Sequence, residues 1–314
     1  MAQTVLLGDP ASFRIQAGLN PHTRDRWGRL KRVDGPIARA QWEKLKLTLE
    51  GHGVRVEVLP AVAEQPGTVF PANAGFRFGK SFYLSRLNPA RAGELPHYQA
   101  FLQGLGLELR DLPAEHPFEG EADFIPVGHP SGDPSKELYL FTHGRVFPPR
   151  RRVRLGWPPV RWRFGFRSDL KARRALEGIV HPREVVPLEL SDPAYYHGDT
   201  VLCPFGPHRE FLLAYLAGLT SAAQTTLRYR FGSRLVLLSE EDACRFAANS
   251  FQVKRSYFGE TVCVLLMPDG LGQSLYAEIR GRGVIPCPVD VSEFLEKGGG
   301  AVKCMLLDLG ELAG

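Results

Sequence analysis

A thiol, an imidazole and several carboxylates stand in turn-like contexts of this chain, and together they could make and break a bond to carbon. Cys304 follows Gly298-Gly299-Gly300 and leads into Met305-Leu306-Leu307. The glycines free the backbone for close approach and positive φ, and the apolar run reads as a buried strand with the thiol near its start. Such a cysteine is either an aimed nucleophile or inert packing, because free Cys is among the most buried residue types. In Tyr195-Tyr196-His197-Gly198-Asp199-Thr200, alternation along an extended chain puts His197 and Asp199 on one side with Gly198 opposite. An imidazole and a carboxylate pointing the same way suit acid/base work, although a single histidine beside a strand also serves structure. Glu119, Glu121 and Asp123 lie between Phe118 and Phe124. Like charges beside apolar surface are costly unless a cation neutralises them, so this cluster asks for a cationic substrate or is an acidic turn in solvent. Asn73, between Ala72 and Ala74-Gly75, has the setting of a turn residue. Arg86 and Arg167 each follow an apolar segment, and arginine is suited to gripping a carboxylate through two parallel hydrogen bonds.

The elements that must position these groups repeat. Ala38, Trp42, Leu45 and Leu49 share one helical face, Gly51-His52-Gly53 ends the element, and Val54, Val56 and Val58 alternate as a strand. The same helix-to-strand phrase returns at 97–106 into 107–110, at 169–178 into 184–186, at 207–219 into 235–238 and at 271–283 into 284–287. Further extended segments precede these units, among them 81–84, 138–141, 200–203 and 261–264. Five units of irregular spacing exclude a solenoid of fixed period and predict an α/β ring around a shared pocket. An internal echo, Phe70-Pro71-Ala72-Asn73-Ala74 against Phe246-Ala247-Ala248-Asn249-Ser250, points to duplication and to a structural use of the asparagine; each copy precedes a strand pair. One stretch departs from the pattern. From Arg145 to Arg167 the sequence interleaves Arg150-Arg151-Arg152, Arg154, Pro158-Pro159 and Arg161-Trp162-Arg163. Arginines among aromatics can bind single-stranded nucleic acid, but the Pro and Gly density favours a surface loop or hairpin with solvated charges.

Composition sets the outer limits. With 314 residues, 44% hydrophobic and 23% charged, the chain can bury a sizeable core. No apolar run approaches the length of a membrane-spanning helix and no signal pattern opens the chain, so a cytoplasmic protein is expected. Five scattered cysteines without a C-x-x-C pair predict reduced thiols and no metal site. The net charge of +5 is weak support for an anionic partner.

The ordered set Asp9-Pro10-x-x-Phe13-x-Ile15 with Leu19-Asn20-Pro21, Phe70-Pro71-Ala72-Asn73-Ala74-Gly75, Phe118-Glu119-Gly120-x-x-Asp123, Tyr196-His197-x-Asp199-Thr200 and Ser292-Glu293-Phe294 through Gly298-Gly299-Gly300 to Cys304 resembles the guanidino-group-modifying enzymes of the pentein superfamily. These include arginine deiminases, dimethylarginine dimethylaminohydrolases, glycine amidinotransferases and arginine dihydrolases. The resemblance runs nearly end to end. It implies a five-bladed α/β propeller of ββαβ units with pseudo-fivefold symmetry around a central channel, as one domain over 1–314 with an Arg/Pro-rich insertion around 145–163. It further implies Cys304 as nucleophile, His197 as general acid/base, Glu119 and Asp199 as holders of a guanidinium, and Arg86 and Arg167 on the substrate α-carboxylate. No cofactor is implied.

Three departures qualify the resemblance. Asn73 stands where the deiminases and dimethylarginine hydrolases carry an aspartate, and its pairing with Asn20 is similar to arginine dihydrolases. Gly198 replaces a leucine, which is expected to loosen the strand locally. Glu121 is close enough to Glu119 to take its role. The expected function is cysteine-dependent hydrolysis of the guanidino group of arginine or a close analogue through a covalent thiouronium adduct. An amidinotransferase, or a non-enzymatic RNA- or ribosome-binding pentein, is the alternative. A homo-oligomer is left open, and nucleic acid and membrane are not expected as partners.

Overall fold

A computed structural model describes residues 3–113, 115–153, 160–257 and 260–312. Strand β1 (Gln3–Gly8), helix α1 (Gly35–Gly51) and strand β2 (Arg55–Leu59) come first. Next come β3 (Gly75–Phe78), β4 (Ser81–Leu84), α2 (Leu95–Gly104) and β5 (Glu108–Asp111). A third group holds β6 (Phe124–Val127), β7 (Leu138–His143), a hairpin of β8 (Arg150–Val153) and β9 (Val160–Arg163), then α3 (Arg173–Val180) and β10 (Val185–Glu189). The fourth comprises β11 (Leu202–Phe205), β12 (Phe211–Ala214), α4 (Ser221–Phe231) and β13 (Leu235–Leu237), followed by α5 (Glu240–Cys244). The last has β14 (Phe251–Tyr257), β15 (Glu260–Pro268), α6 (Gln273–Gly281) and β16 (Val284–Val289), before α7 (Ser292–Gly298) and β17 (Leu307–Glu311).

These strands make five three-stranded sheets, β17-β1-β2, β3-β4-β5, β6-β7-β10, β11-β12-β13 and β14-β15-β16. In each, the first strand is antiparallel to the second and the second is parallel to the third. A parallel pair needs a crossover, and the helix in each unit supplies it. The ββαβ repeat is therefore present five times, with β17 completing the first sheet, and the fold is the five-bladed α/β propeller expected. Middle strands such as β1, where Val5, Leu6 and Leu7 are fully buried, are apolar on both faces. Helix α1 shows how the outer layer attaches. Asp34 caps it by accepting from Ile37 N at 3.1 Å, and Ala38, Trp42, Leu45 and Leu49 form its buried stripe.

What positions the chemistry is the turn before the first strand of each sheet: Pro71–Asn73 before β3, Gly120–Ala122 before β6, Gly198–Thr200 before β11, 245–248 before β14 and 302–305 before β17. Hydrogen bonds join these turns in a closed circuit. Asn73 Nδ2 donates to Glu119, Gly198 N to Asp123, Asn249 Nδ2 to the Asp199 carbonyl, Lys303 N to the Asn249 carbonyl, and Ala72 N to the Cys304 carbonyl.

Four sequence expectations about local structure are corrected. The stretch 207–219 is not a helix: Phe211–Ala214 pairs with Leu202–Phe205 as β12, and the helix begins at Ser221. A short apolar run satisfies either period, and pairing with β11 decided it. Cys304 is not within a strand but in the turn ahead of β17. His197 and Asp199 do not share an extended segment, because Gly198–Thr200 is a 3-10 turn with His197 at its N-cap. Gly198 does not loosen its surroundings either. Its N–H donates to Asp123 Oδ1 at 2.9 Å, and an added Cβ would collide with the Thr142 side chain, so a leucine has no room there.

The arginine-rich insertion contains the β8–β9 hairpin, with Arg150, Arg151 and Arg152 exposed. Trp162 lies under the Arg24 guanidinium at 3.7 Å. Arg154 and Pro158-Pro159 fall outside the described residues. Among the described residues, no helix is long and apolar enough to cross a membrane.

Candidate active site

Three of the joined turns contribute Asn73, His197 and Cys304 to the lining of a cavity of about 330 Å³, which also includes Asn20, Arg91 and Arg167. Cys304 is 3% exposed. Its Sγ receives Asn249 Nδ2 at 3.1 Å and lies 3.4 Å from Asp199 Oδ2. Asn249 Oδ1 accepts from the backbone N–H groups of Cys304 and Ala301, each at 3.0 Å, and so fixes the turn that carries the thiol. The preceding glycines are needed for that turn. Gly299 has φ +77° and ends α7, and a Cβ on Gly300 would meet Cys304 Cβ at 2.9 Å and the Phe70 ring at 2.7 Å.

His197 Nε2 lies 2.9 Å from Glu119 Oε2, and Asn73 Nδ2 is 3.2 Å from both of those atoms. His197, Glu119 and Asn73 are all buried. Glu119 also accepts from the Asn88 N–H, and Arg91 Nη1 stands 4.0 Å from Oε2. Burial alone would raise the Glu119 carboxyl. The His197 hydrogen bond and charge, with Arg91 and Arg167 behind them, instead hold it down at about 2. Asp199 has no comparable donor set, and burial pushes it up to about 6 against the pull of His197 and Lys303. Burial and the adjacent Asp199 charge drive the Cys304 thiol well above its ordinary range, while the Asn249 donor pulls it back.

The two candidate carboxylates near position 120 separate cleanly. Glu119 faces His197, whereas Glu121 Oε2 pairs with Lys303 Nζ at 2.6 Å and accepts from Asp308 N at 3.1 Å. Asp123 braces the site: it accepts from Thr142 Oγ1 and Ser168 Oγ, each at 2.6 Å, and from Gly198 N. Asn20 lines the cavity with its amide committed to Gly298 O and Thr23 N.

Arg167 is buried over the Tyr196 ring, with Nη2 on the Leu19 carbonyl at 2.5 Å and Nη1 meeting no partner among the described residues. The structure does not bring Arg86 with it. That residue is exposed, its backbone pairs with Phe118, and its side chain is absent from the cavity lining. Arg91 lines the cavity instead, held by Glu94 at 2.7 Å. Sequence reading missed Arg91, Glu94 and the contact of Asn249 with the thiol. The 70–74 and 246–250 echo was the signal for Asn249; the Arg91-x-x-Glu94 spacing is too common to single out.

Among the described residues, no group of three or more His, Cys, Asp or Glu side chains is placed to hold a metal ion. What the arrangement offers is a thiol, an imidazole and two buried carboxylates around one point, beside an arginine with a free donor. This suits a planar cation with a carboxylate at its other end.

No family model matches the chain. It is 30% identical over 302 residues to N(G),N(G)-dimethylarginine dimethylaminohydrolase of Mycobacterium tuberculosis, covering 96% of this chain and 83% of that protein. It is 29% identical over 308 residues to the bifunctional arginine dihydrolase/ornithine cyclodeaminase AgrE of Nostoc sp., where the match takes in 98% of this chain and 38% of that protein. Among solved structures, the cyanobacterial ArgZ N-terminal domain covalently bound to a reaction intermediate superposes with a TM-score of 0.80 at 25% identity, over 98% of both chains.

Proposed function

We infer, because the chain belongs to the guanidino-group-modifying enzymes of the pentein superfamily, that this cysteine-dependent hydrolase acts on free arginine and cleaves its guanidino carbon twice. The products are ornithine, carbon dioxide and two molecules of ammonia, from one arginine and two waters. Residues 1–314 act as one unit, since the site draws a turn from each of the five sheets. A reduced cytoplasmic setting suits the thiol.

The observation that carries this reading is Asn73, buried within 3.2 Å of both Glu119 and His197. A first hydrolysis turns the cationic guanidinium into a neutral ureido group, whose oxygen needs a donor. A carboxylate at this position could only accept. The Asn73 amide can do both, so the site can hold the group for a second attack.

The chemistry follows from the geometry. The α-carboxylate binds Arg167 through its free Nη1, and the guanidinium sits against Glu119 and Asp199. Before the cation arrives, burial and the Asp199 charge keep the Cys304 thiol protonated. The incoming positive charge offsets Asp199, the thiol gives its proton to the His197 imidazole that lines the same cavity, and the thiolate attacks the guanidinium carbon. His197, aimed by Glu119, protonates the departing nitrogen, and ammonia leaves a thiouronium adduct on Sγ. His197 then takes a proton from water, hydroxide adds to the carbon, and the carbon–sulfur bond breaks to give the ureido compound and free thiolate. Repeating the attack expels the second ammonia and leaves a thiocarbamate. Its hydrolysis gives a carbamic acid that loses carbon dioxide to yield ornithine.

Hydrolysis of dimethylarginine to citrulline and dimethylamine is the second reading, favoured by the 30% identity to the mycobacterial enzyme. Incubation of the wild-type protein and Cys304→Ser with arginine and with dimethylarginine separates the two. Arginine should yield one ornithine and two ammonia per turnover, and the serine variant should be silent. Citrulline as the end product from arginine, or dimethylamine as the main amine released, would overturn the proposal.

A further inference from the structure

Behind the thiol lies a second cavity of about 50 Å³, lined by Glu121, Asp199, Cys203, Arg209, Lys303 and Asp308 among others. It is not part of the substrate cavity, whose lining contains none of these six residues. Asp199 lines the rear cavity and reaches the substrate cavity through Cys304, which lines the latter. Its Oδ2 faces Cys304 Sγ at 3.4 Å, and its Oδ1 is buried without a hydrogen-bond partner among the described residues. Across the same small cavity stands Lys303, the residue just before the thiol. Its Nζ donates to Glu121 Oε2 at 2.6 Å and to the Leu306 carbonyl at 3.2 Å. An ammonium has three protons, so one donor remains. One cavity thus contains an unused donor, an unused acceptor, and more room than the roughly 10–15 Å³ a water needs.

We propose that Lys303 is a positioning residue for the hydrolysis, joined to Asp199 Oδ1 by a water in the rear cavity, and that this bridge keeps the carboxylate ionised and turned toward the substrate guanidinium. The need arises from the site's construction. Glu119 is held down by His197 and nearby arginines, whereas Asp199 faces His197, the Cys304 thiol, the like-charged Asp123 and, across the rear cavity, Lys303 with Glu121, Arg209 and Asp308. Burial penalises its charge most, and Lys303 is one of the two cations that offset it. Glu121 has a defined part as well: by pairing with Lys303 it keeps the buried ammonium charged and fixes its position. This inference rests on Asp199 holding the guanidinium, as proposed above.

The test compares wild type with Lys303→Met, Lys303→Arg and the double variant Lys303→Met/Glu121→Leu, which removes both buried charges and leaves neither orphaned. The readout is the pH profile of kcat/KM for arginine. Loss of the cation should move the acidic limb up by about one pH unit or more in both methionine-bearing variants, with KM rising more than kcat falls at neutral pH. Lys303→Arg should restore the limb. A limb that stays in place in a folded methionine-bearing variant overturns the proposal. A crystal structure of the wild-type protein tests the bridge whether or not the variants fold: solvent density within hydrogen-bond distance of both Lys303 Nζ and Asp199 Oδ1 supports it, and its absence overturns it. Failure of the underlying function would look different, because the wild-type protein itself would not turn over arginine.

Discussion

Asp199→Asn should make the protein more stable at neutral pH while stopping the reaction. Burial lifts this carboxyl from its ordinary 3.8 to about 6, so in the free protein above pH 6 the ionised side chain is held at a cost. That difference corresponds to an effect on the order of 3 kcal/mol. The direction follows from proton uptake. Between 3.8 and about 6 the folded protein keeps a proton that the unfolded chain has released, so this group's contribution to stability falls as pH rises through that window and stays low above it. Asparagine is neutral throughout. Its amide oxygen can remain toward Cys304 Sγ while its NH₂ turns into the rear cavity, where Oδ1 now has no partner among the described residues. An unfolding entropy of about 2 cal/mol/K per residue makes 3 kcal/mol worth about 4–5 °C in a chain of this size. The assay is thermal unfolding of both proteins from pH 4 to pH 8, with arginine turnover measured alongside. The variant should melt about 4 °C higher at pH 7.5, the gap should close toward pH 4, and turnover should fall by a factor of ~10² or more. Because only one side chain differs, other titrating groups largely cancel in the comparison. A variant that melts lower at pH 7.5, or a gap that does not vary with pH, would refute the reasoning.

Two further outcomes follow from the same geometry. Asn249→Ala leaves the buried N–H groups of Ala301 and Cys304 without their shared acceptor, a loss of about 2–4 kcal/mol. It should lower the melting temperature by several degrees and, since the Nδ2 donor to Sγ is also lost, slow alkylation of Cys304 by iodoacetamide. Asn73→Asp places a second carboxylate beside Glu119, where the amide nitrogen now sits at 3.2 Å. It should accumulate citrulline from arginine, read by chromatography, and an unchanged ornithine yield would count against the role given to the amide.

Much of the candidate site is legible in the sequence because its members lie in short, ordered motifs. Cys304 after three glycines, His197 and Asp199 two residues apart, and Glu119 in its acidic turn each stand out in the sequence, and the fold pairs His197 with Glu119 and Cys304 with Asp199. The helix placed at 207–219 went astray because Phe211-Leu212-Leu213-Ala214 satisfies either period, and the partner strand β11 settles the matter. Arg86 was chosen for its place after a strand. Which way a side chain points there depends on the backbone pairing of Arg86 with Phe118, and the chain turns Arg91 inward instead.

The sequence by itself determined the count of five helix-to-strand units and the residue types of the reaction, because periodicity and motif spacing are local properties of the chain. The tertiary structure decided which groups meet. That Glu119 takes His197 while Glu121 takes Lys303, that Asn249 cradles the thiol, and that Asp199 lines a second cavity behind Cys304 all depend on five turns far apart in sequence closing into one ring. Burial then acts differently on each carboxylate according to the donors that reach it, holding Glu119 at about 2 and Asp199 at about 6. No spacing along the chain encodes that difference, because it comes from neighbours that only the fold supplies.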